Sequence, residues 1–423
     1  MNKRRETKPK PFPITKEQVW EAFQHVKRKG GSKGVDGISI KTVAANPREH
    51  LYPVWNRLAS GSYFPPPVKR VEIAKGDGKT RPLGIPTVKD RVAQKVIADE
   101  LSAIAELLFS NNSFGYRPRK SAHQAIAQAK RNCWEYAWVV DMDIKGFFDN
   151  IDHELMMQAL RYFTDKKHIL LYAQRWLEAR VTLPDRSLLD IEGKGTPQGG
   201  VISPILANIF LHVVLDKWLE KNFPDCPFER YADDVIIHAK DEYQARQLLE
   251  QLTQRMQACK LTLHPDKTKL VHCRRVGVRR YKKADHQQFD FLGLTFRPRL
   301  VMTKKGRLLL GFSPSISKKA EKKIIEACRN LEFHRWVNKS LEQMVKELNP
   351  KIRGWIQYYA RHGKSAMEKV FRVINLRLVK WAFNKYKRLK RRKSKYGAIK
   401  WFKEIYKYQR TLFYHWTISA FNV

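Results

Sequence analysis

The chain has 423 residues, with 82 Lys and Arg against 41 Asp and Glu and a formal net charge of +41. An excess of that size repels itself in a folded protein and calls for a polyanionic partner, RNA or DNA first and an anionic membrane surface second. The length and a 43% hydrophobic content allow two or three domains, while no apolar run is long enough to cross a bilayer and the five scattered cysteines, with no CxxC pair, read as free thiols of a reducing cytosol. The start, MNKRRETKPKPFPITKEQ, is basic but has no apolar segment behind it, which excludes a secretory signal.

In chain order, a basic arm leads into helical patterning from Lys16 to Lys29, a glycine-rich turn (KGGSKGVDGIS) and a second helical stretch. SYFPPPVKRVEIAK is a proline-braked entry into an alternating strand, and GDGKTRPLGIP a glycine-rich hairpin with a second strand. Residues 93–135 read as helix around the loop NNSFGYRPRKSAH, and WVVDMDIKGFF as a buried strand followed by helices to about residue 180. The loop GKGTPQGG (193–200) opens the helix SPILANIFLHVVLDKWLEK. FERYADDVIIHAK is strand, turn and strand, with a helix from Tyr243 to about Lys260 behind it. LTLHPDKTKLVHC and FDFLGLTFRPR add strands with turns, and from about Ser313 the pattern is nearly all helical. Between Lys380 and Arg410 thirteen Lys and Arg and one acid alternate with Trp381, Phe383, Tyr386, Tyr396, Trp401, Phe402, Tyr406 and Tyr408. Such a segment suits helices laid along RNA, with about half of the rings left to the core.

Two pairs of acids interrupt apolar runs, Asp141 and Asp143 in one strand and Asp233 and Asp234 at a hairpin turn. An acid inside an apolar strand is costly unless something compensates it. A turn cap is the plain alternative for Asp141 or Asp143. Two such sites together point to metal binding, since phosphoryl transfer by two metals needs oxygen ligands on a rigid frame. Phe147 and Phe148 follow at once. A ring there can lie under the sugar of a nucleotide and exclude a 2′-OH, or it can be ordinary core, and Phe148 is the candidate for the gate. GKGTPQGGVISP offers small residues, backbone N–H groups and the amide of Gln198 in front of a helix N-terminus. No GxxxxGK[ST] occurs, which excludes a P-loop ATPase. Lys75, Lys79 and Arg81 flank the GDG turn and suit a triphosphate, or a solvated basic loop. Cys259, His264, His272 and Cys273 fit no common zinc spacing.

Taken in order, GVDGIS, KRVEIAKGDGKTRPLGIPTVKDR, SFGYRPRKSAH, VVDMDIKGFFDNIDH, GTPQGGVISPILANIFLHVVLD, RYADD, LHPDKT and FDFLGLTF resemble the bacterial group II intron-encoded reverse transcriptase/maturases over nearly the whole chain. The resemblance implies an α+β right-hand polymerase followed by an all-α thumb. Its expected divisions are a helical extension at 1–55, fingers and palm at 56–312, and a basic thumb or maturase X domain at 313–423, with LNPKIRGWIQYYAR (348–361) as its signature. It implies Asp143, Asp233 and Asp234 as ligands of two Mg2+ ions, for which Mn2+ can substitute, with Asp143 preferred to Asp141 because Phe148 then stands at the gate distance. Lys75 and Arg81 correspond to triphosphate-contacting residues, Gln198 to the glutamine beside the nascent base pair, and Lys267 to a lysine near the leaving pyrophosphate. Pro197, Gly199, Tyr231 and Ala232 would border primer and template.

The implied activity is RNA-directed DNA synthesis from a primer 3′-OH and dNTPs in a bacterial cytoplasm, with group II intron RNA, an RNA template carrying a DNA primer and target DNA as partners, and no membrane. Ala74 replaces the usual proline of the EIPK block, a mild change. No H-N-H segment with cysteine pairs follows the thumb, so the expectation is no endonuclease, and retrohoming primed elsewhere, for example by nascent DNA at a replication fork. The rival readings are an RNA-binding maturase with a vestigial polymerase, an RNA-dependent RNA polymerase, which an aromatic at position 148 disfavours, and a related enzyme co-opted for defence or repair. Oligomeric state is left open.

Overall fold

The computed structural model describes residues 10–74, 80–196, 198–277, 285–302, 306–390 and 395–423. Helix α1 (Lys16–Lys29) starts at a Thr15/Gln18 capping box and stops at Gly30, and its Val19, Ala22, Phe23 and Val26 stripe is buried. Helix α2 (Pro47–Ser60) begins with proline in its first turn and ends at left-handed Gly61. Strands β1 (Val68–Ala74) and β2 (Thr80–Ile85) form the expected antiparallel hairpin, with Lys69 opposite Ile85 and Ala74 opposite Thr80. Its tip, with Lys75 and Lys79, lies outside the described residues.

The chain continues through α3 (Val88–Glu106), α4 (Ala122–Glu135), β3 (Trp138–Met142), α5 (His153–Phe163), α6 (Lys167–Leu177) and α7 (Ser203–Leu211). It then passes through a π-helical turn, His212–Asp216, to β4 (Phe228–Tyr231), β5 (Asp234–Ala239) and α8 (Glu242–Ala258). β6 (Lys269–His272), β7 (Phe289–Phe291), β8 (Leu294–Met302) and β9 (Leu308–Ile316) precede the helices α9 (Lys318–Asn330), α10 (Leu341–Tyr359), α11 (Glu368–Lys385) and α12 (Tyr396–Tyr408). Sheets in the central part and helices at the end give the expected α+β arrangement followed by an all-helical end.

Two compact units emerge, one from the described residues of Met1–Ser121, Met142–Ile237 and Arg246–Thr268, the other from those of Ala122–Asp141, His238–Ala245 and Lys269–Val423. In the first, β4 and β5 form a hairpin with Tyr231 opposite Asp234, and Val235, Ile236 and Ile237 are fully buried. In the second, β3 and β6 pair antiparallel from Trp138–His272 to Asp141–Lys269, and β8 lies between β7 and β9. α2 runs through residue 55 and β9 through residue 312. The helical end therefore begins at Ser317, whose side chain caps α9, and not near 313, because Leu308–Ile316 pairs along the whole of β8. Its core gathers Ile324, Cys328, Leu348, Ile352, Phe371, Trp381, Phe402 and Trp416. Of the basic-segment rings, Trp381 and Phe402 are buried, while Tyr396 and Tyr408 are 61% and 76% exposed. Among the described residues no helix is long and apolar enough to cross a membrane.

Candidate active site

The YADD turn is two residues long, and Ala232 within it takes φ +58°, a left-handed conformation that a small residue adopts at least cost. A buried ionic network holds it from behind. The Arg230 guanidinium donates to both oxygens of Asp216 at 2.7 and 2.6 Å, to Asn208 Oδ1 at 2.8 Å and to the Ala232 carbonyl at 3.2 Å. Arg230 and Asp216 are both fully buried. Burial alone would raise the Asp216 carboxyl, but Arg230 and His212 more than offset it and hold it below the ordinary carboxylate range. Alongside, residues 112–114 run strand-like against β4, Arg230 N donating to Asn112 O and Phe114 N to Arg230 O.

Gly115 permits this approach. A Cβ there would stand 2.4 Å from the Ala232 nitrogen, and Asn208 Nδ2 donates to the Gly115 carbonyl. Gly115→Ala is expected to cost about 1–3 kcal/mol, the range for overpacking, and to lower primer extension by displacing the turn. Urea unfolding and an extension assay on one preparation check it. Sequence reading missed Arg230, Asp216, Asn208 and Gly115. The available signal was a charged residue within the apolar runs of VVLDKWL and FERY.

Asp143 follows directly on β3, and the HPDKT turn wraps it. His264 N donates to the Asp143 carbonyl at 2.8 Å, Thr268 Oγ1 lies 3.3 Å from both its nitrogen and its carbonyl oxygen, and Lys267 Nζ donates to its Oδ2 at 3.0 Å. The ion pair is well exposed and adds little stability. Asp141 instead stands within β3 opposite Lys269. The Asp233 carboxyl is pushed up by burial first and also by the negative charge of Asp143, while its own backbone N–H, Arg81 and Arg230 pull it down. Asp143, Asp233, Arg81 and Lys267 therefore share one electrostatic site. Asp234 opens β5 beside them in sequence.

The PQG loop closes another side. Arg81 Nε donates to Gln198 Oε1, and Gln198 Nε2 donates to Asp149 Oδ1 at 3.3 Å. The loop backbone is pinned by Gly84 N to Gln198 O at 2.6 Å, Thr196 N to Phe148 O at 2.8 Å and Gly195 N to Ile151 O at 2.8 Å. Gly199 has φ +113°, and a Cβ would meet the Gly84 carbonyl at 2.4 Å, so only glycine suits both demands. A cavity of about 170 Å3 opens between Gly84, Asp149, Lys194, Thr196 and Gln198. Phe147 is buried and stacks edge-on against Phe148, which is half-exposed. Tyr231 faces Tyr116 at 6.2 Å between ring centroids. Lys75 and Pro197 lie outside the described residues.

Among the described residues no three His, Cys, Asp or Glu side chains close on one point as a ready-made metal cluster, one oxygen of Asp143 being taken by Lys267. The donor set is nevertheless all carboxylate oxygen, which a hard divalent cation takes. Burial is the main cause that raises Asp233, and the repulsion from Asp143 that adds to it is what a cation shared by the two would relieve.

Residues 73–296 match the family model described as reverse transcriptase (RNA-dependent DNA polymerase), and residues 321–397 match the group II intron maturase-specific domain. The chain is 32% identical over 277 residues to Protein YkfC of Escherichia coli (strain K12), 56% of this chain and 72% of that one. It is 36% identical over 199 residues to the group II intron-encoded protein LtrA of Lactococcus lactis subsp. cremoris, 47% of this chain and 33% of LtrA. Against the putative COX1/OXI3 intron 1 protein of Saccharomyces cerevisiae it is 32% identical over 201 residues, 47% of this chain and 24% of that one. The chain thus spans a third or less of these two intron-encoded relatives. With the polymerase model covering more than half of its length and the maturase model following in order, the chain belongs to the reverse transcriptase (RNA-dependent DNA polymerase) family and carries a group II intron maturase domain.

Proposed function

We propose that the protein extends a DNA primer on an RNA template with dNTPs, binds its group II intron RNA as a splicing maturase, and supports insertion into target DNA, in a bacterial cytoplasm. The observation that carries the polymerase reading is the shared field of Asp143 and Asp233 at the YADD turn, with Arg81 bonded to Gln198 and its charge acting on Asp233. In the reaction the primer O3′ forms a bond to the dNTP α-phosphorus, and the bond from that phosphorus to pyrophosphate breaks. Asp143, Asp233 and Asp234 would hold two Mg2+ ions, or Mn2+ in their place, which when bound activate the 3′-OH and neutralise developing phosphate charge. Lys75 and Arg81 hold the triphosphate, Lys267 stands by for the leaving pyrophosphate, and Gln198, with Pro197 and Gly199, borders the new base pair. Tyr231 packs near the primer end and Ala232 leaves it room. Fingers and palm correspond to 56–312 and the thumb with the maturase domain to 313–423, the first helix of the thumb being capped by Ser317. The basic helices with exposed Tyr396 and Tyr408 supply phosphate and base contacts to RNA.

Phe148, half-exposed while Phe147 is core, acts as the sugar gate. The test is primer extension on an RNA template with dNTPs and NTPs in competition. Wild type is expected to prefer dNTPs, and Phe148→Ala to reduce that preference by about tenfold to a hundredfold, the discrimination that one small steric group supplies. A preference of wild type for NTPs would overturn the reading.

A further inference from the structure

Asp90, in the first turn of α3, is fully buried, and among the described residues no salt bridge reaches it. Burial raises its carboxyl to about 6, although Trp176, Tyr63 and Gln94 all donate to it and the charge of the adjacent Arg91 also pulls it down. Tyr63 Oη and Trp176 Nε1 lie 2.8 and 2.9 Å from Oδ1, and Gln94 Nε2 lies 2.9 Å from Oδ2. A carboxylate in such a place is costly, and an apolar side chain would be cheaper. What the carboxylate provides is polarity. It only accepts, so it takes the NH2 end of the Gln94 amide and turns Oε1 the other way. Gln94 Oε1 in turn accepts from Val201 N at 2.6 Å and Ile202 N at 3.2 Å. Those two amides end the PQG loop immediately before α7, three and four residues beyond Gln198. The loop lies outside any named strand here, so these bonds and the Gly84 bond to Gln198 O set where the Gln198 side chain stands.

We propose that the buried Asp90–Gln94 pair is a positioning element for nucleotide selection, holding through the Val201 and Ile202 amides the loop that presents Gln198. The inference rests on the polymerase reading for its functional consequence but not for its structural one. Donor and acceptor roles along the chain can be exchanged. Asp90→Asn leaves an NH2 facing the NH2 of Gln94, and Gln94→Glu sets two carboxylates together. Asp90→Asn with Gln94→Glu restores every bond. The Oδ1 of the introduced asparagine would accept from Tyr63 and Trp176, and its NH2 would donate to the new carboxylate, whose other oxygen accepts from the loop.

The experiment compares both single variants, the double variant, and Gln94→Met alone and together with Asp90→Asn. One readout is amide hydrogen exchange at 201–202 in the full protein without substrate. The other is dNTP KM, kcat and matched-against-mismatched incorporation. Each single variant is expected to speed exchange and to raise the correct dNTP KM by about tenfold with kcat changed by less than about threefold, the size of one lost buried hydrogen bond. The double variant should return both readouts to within about threefold of wild type, and Gln94→Met should not be rescued by Asp90→Asn. Single variants that leave exchange and KM unchanged, or a double variant that shows the sum of the two defects, would overturn the proposal. If the single variants do not fold, a folded double variant with normal KM supports it and an unfolded one sinks it. Loop exchange that follows the pattern in a protein that extends no primer would retain the relay and reject the polymerase reading instead.

Discussion

Asp233→Asn is expected to abolish primer extension and, at neutral pH, to make the protein more stable. In its proposed role Asp233 holds catalytic cations, and loss of such a ligand removes several kcal/mol of transition-state stabilisation, so the rate should fall by about a thousandfold or more. The stability effect has the opposite sign. Burial and the Asp143 charge raise the Asp233 carboxyl, so the folded state binds its proton more tightly than the unfolded chain does. Ionising it therefore costs stability as pH rises through the unfolded and then the folded value, and the cost persists at pH 7. The asparagine variant escapes that cost. Its melting temperature should exceed that of wild type near pH 7, and the two should converge below the ordinary carboxylate range. Thermal melts across pH, beside an extension assay, read both effects. Full activity in the variant, or a lower melting temperature at pH 7 with convergence nowhere, would remove Asp233 from the site.

Asp216→Ala is expected to be among the most damaging substitutions outside the carboxylates of the YADD turn. It leaves the Arg230 guanidinium fully buried with neither oxygen of its partner, a loss of about 3–5 kcal/mol in comparable cases. Because the Asp216 carboxyl is held below its ordinary range, its contribution is present above the unfolded value and is lost as pH falls through the lower folded one. The gap between wild type and variant should therefore narrow in acid. Replacing both partners, Asp216→Leu with Arg230→Met, should recover much of the stability. It should not recover activity, since Arg230 also donates to the Ala232 carbonyl and to Asn208, which ties Gly115. Denaturant midpoints and extension rates for the two variants separate packing from positioning. Recovery of both together would mean that the network supports the core alone.

How much of this was legible in the sequence differs from residue to residue. α1, the β1–β2 hairpin and the YADD turn follow from apolar periodicity and from glycine and proline placement, because these are local properties of the chain. The acids Asp143, Asp233 and Asp234 stood out because charge inside an apolar run is costly and asks for a reason. The same cost applied to Asp216, Arg230 and Asp90, but their partners come from other elements. β9 carries no strand signal of its own, because LLLGFSPSI is weakly patterned and is held as a strand by β8 across its whole length.

The sequence by itself determined the family, the order of its blocks, the basic character and the chemistry available at each motif, since these depend on residue types and spacing. Only the tertiary structure decided that Asp143 shares a field with Asp233, that Lys267 rests on Asp143, that Arg81 is bound to Gln198, and that the turn hangs on a buried Arg230–Asp216 pair. Those are relations between segments up to 125 residues apart, as for Asp143 and Thr268. They are settled by which polar groups burial forces to find each other, and no local pattern encodes that.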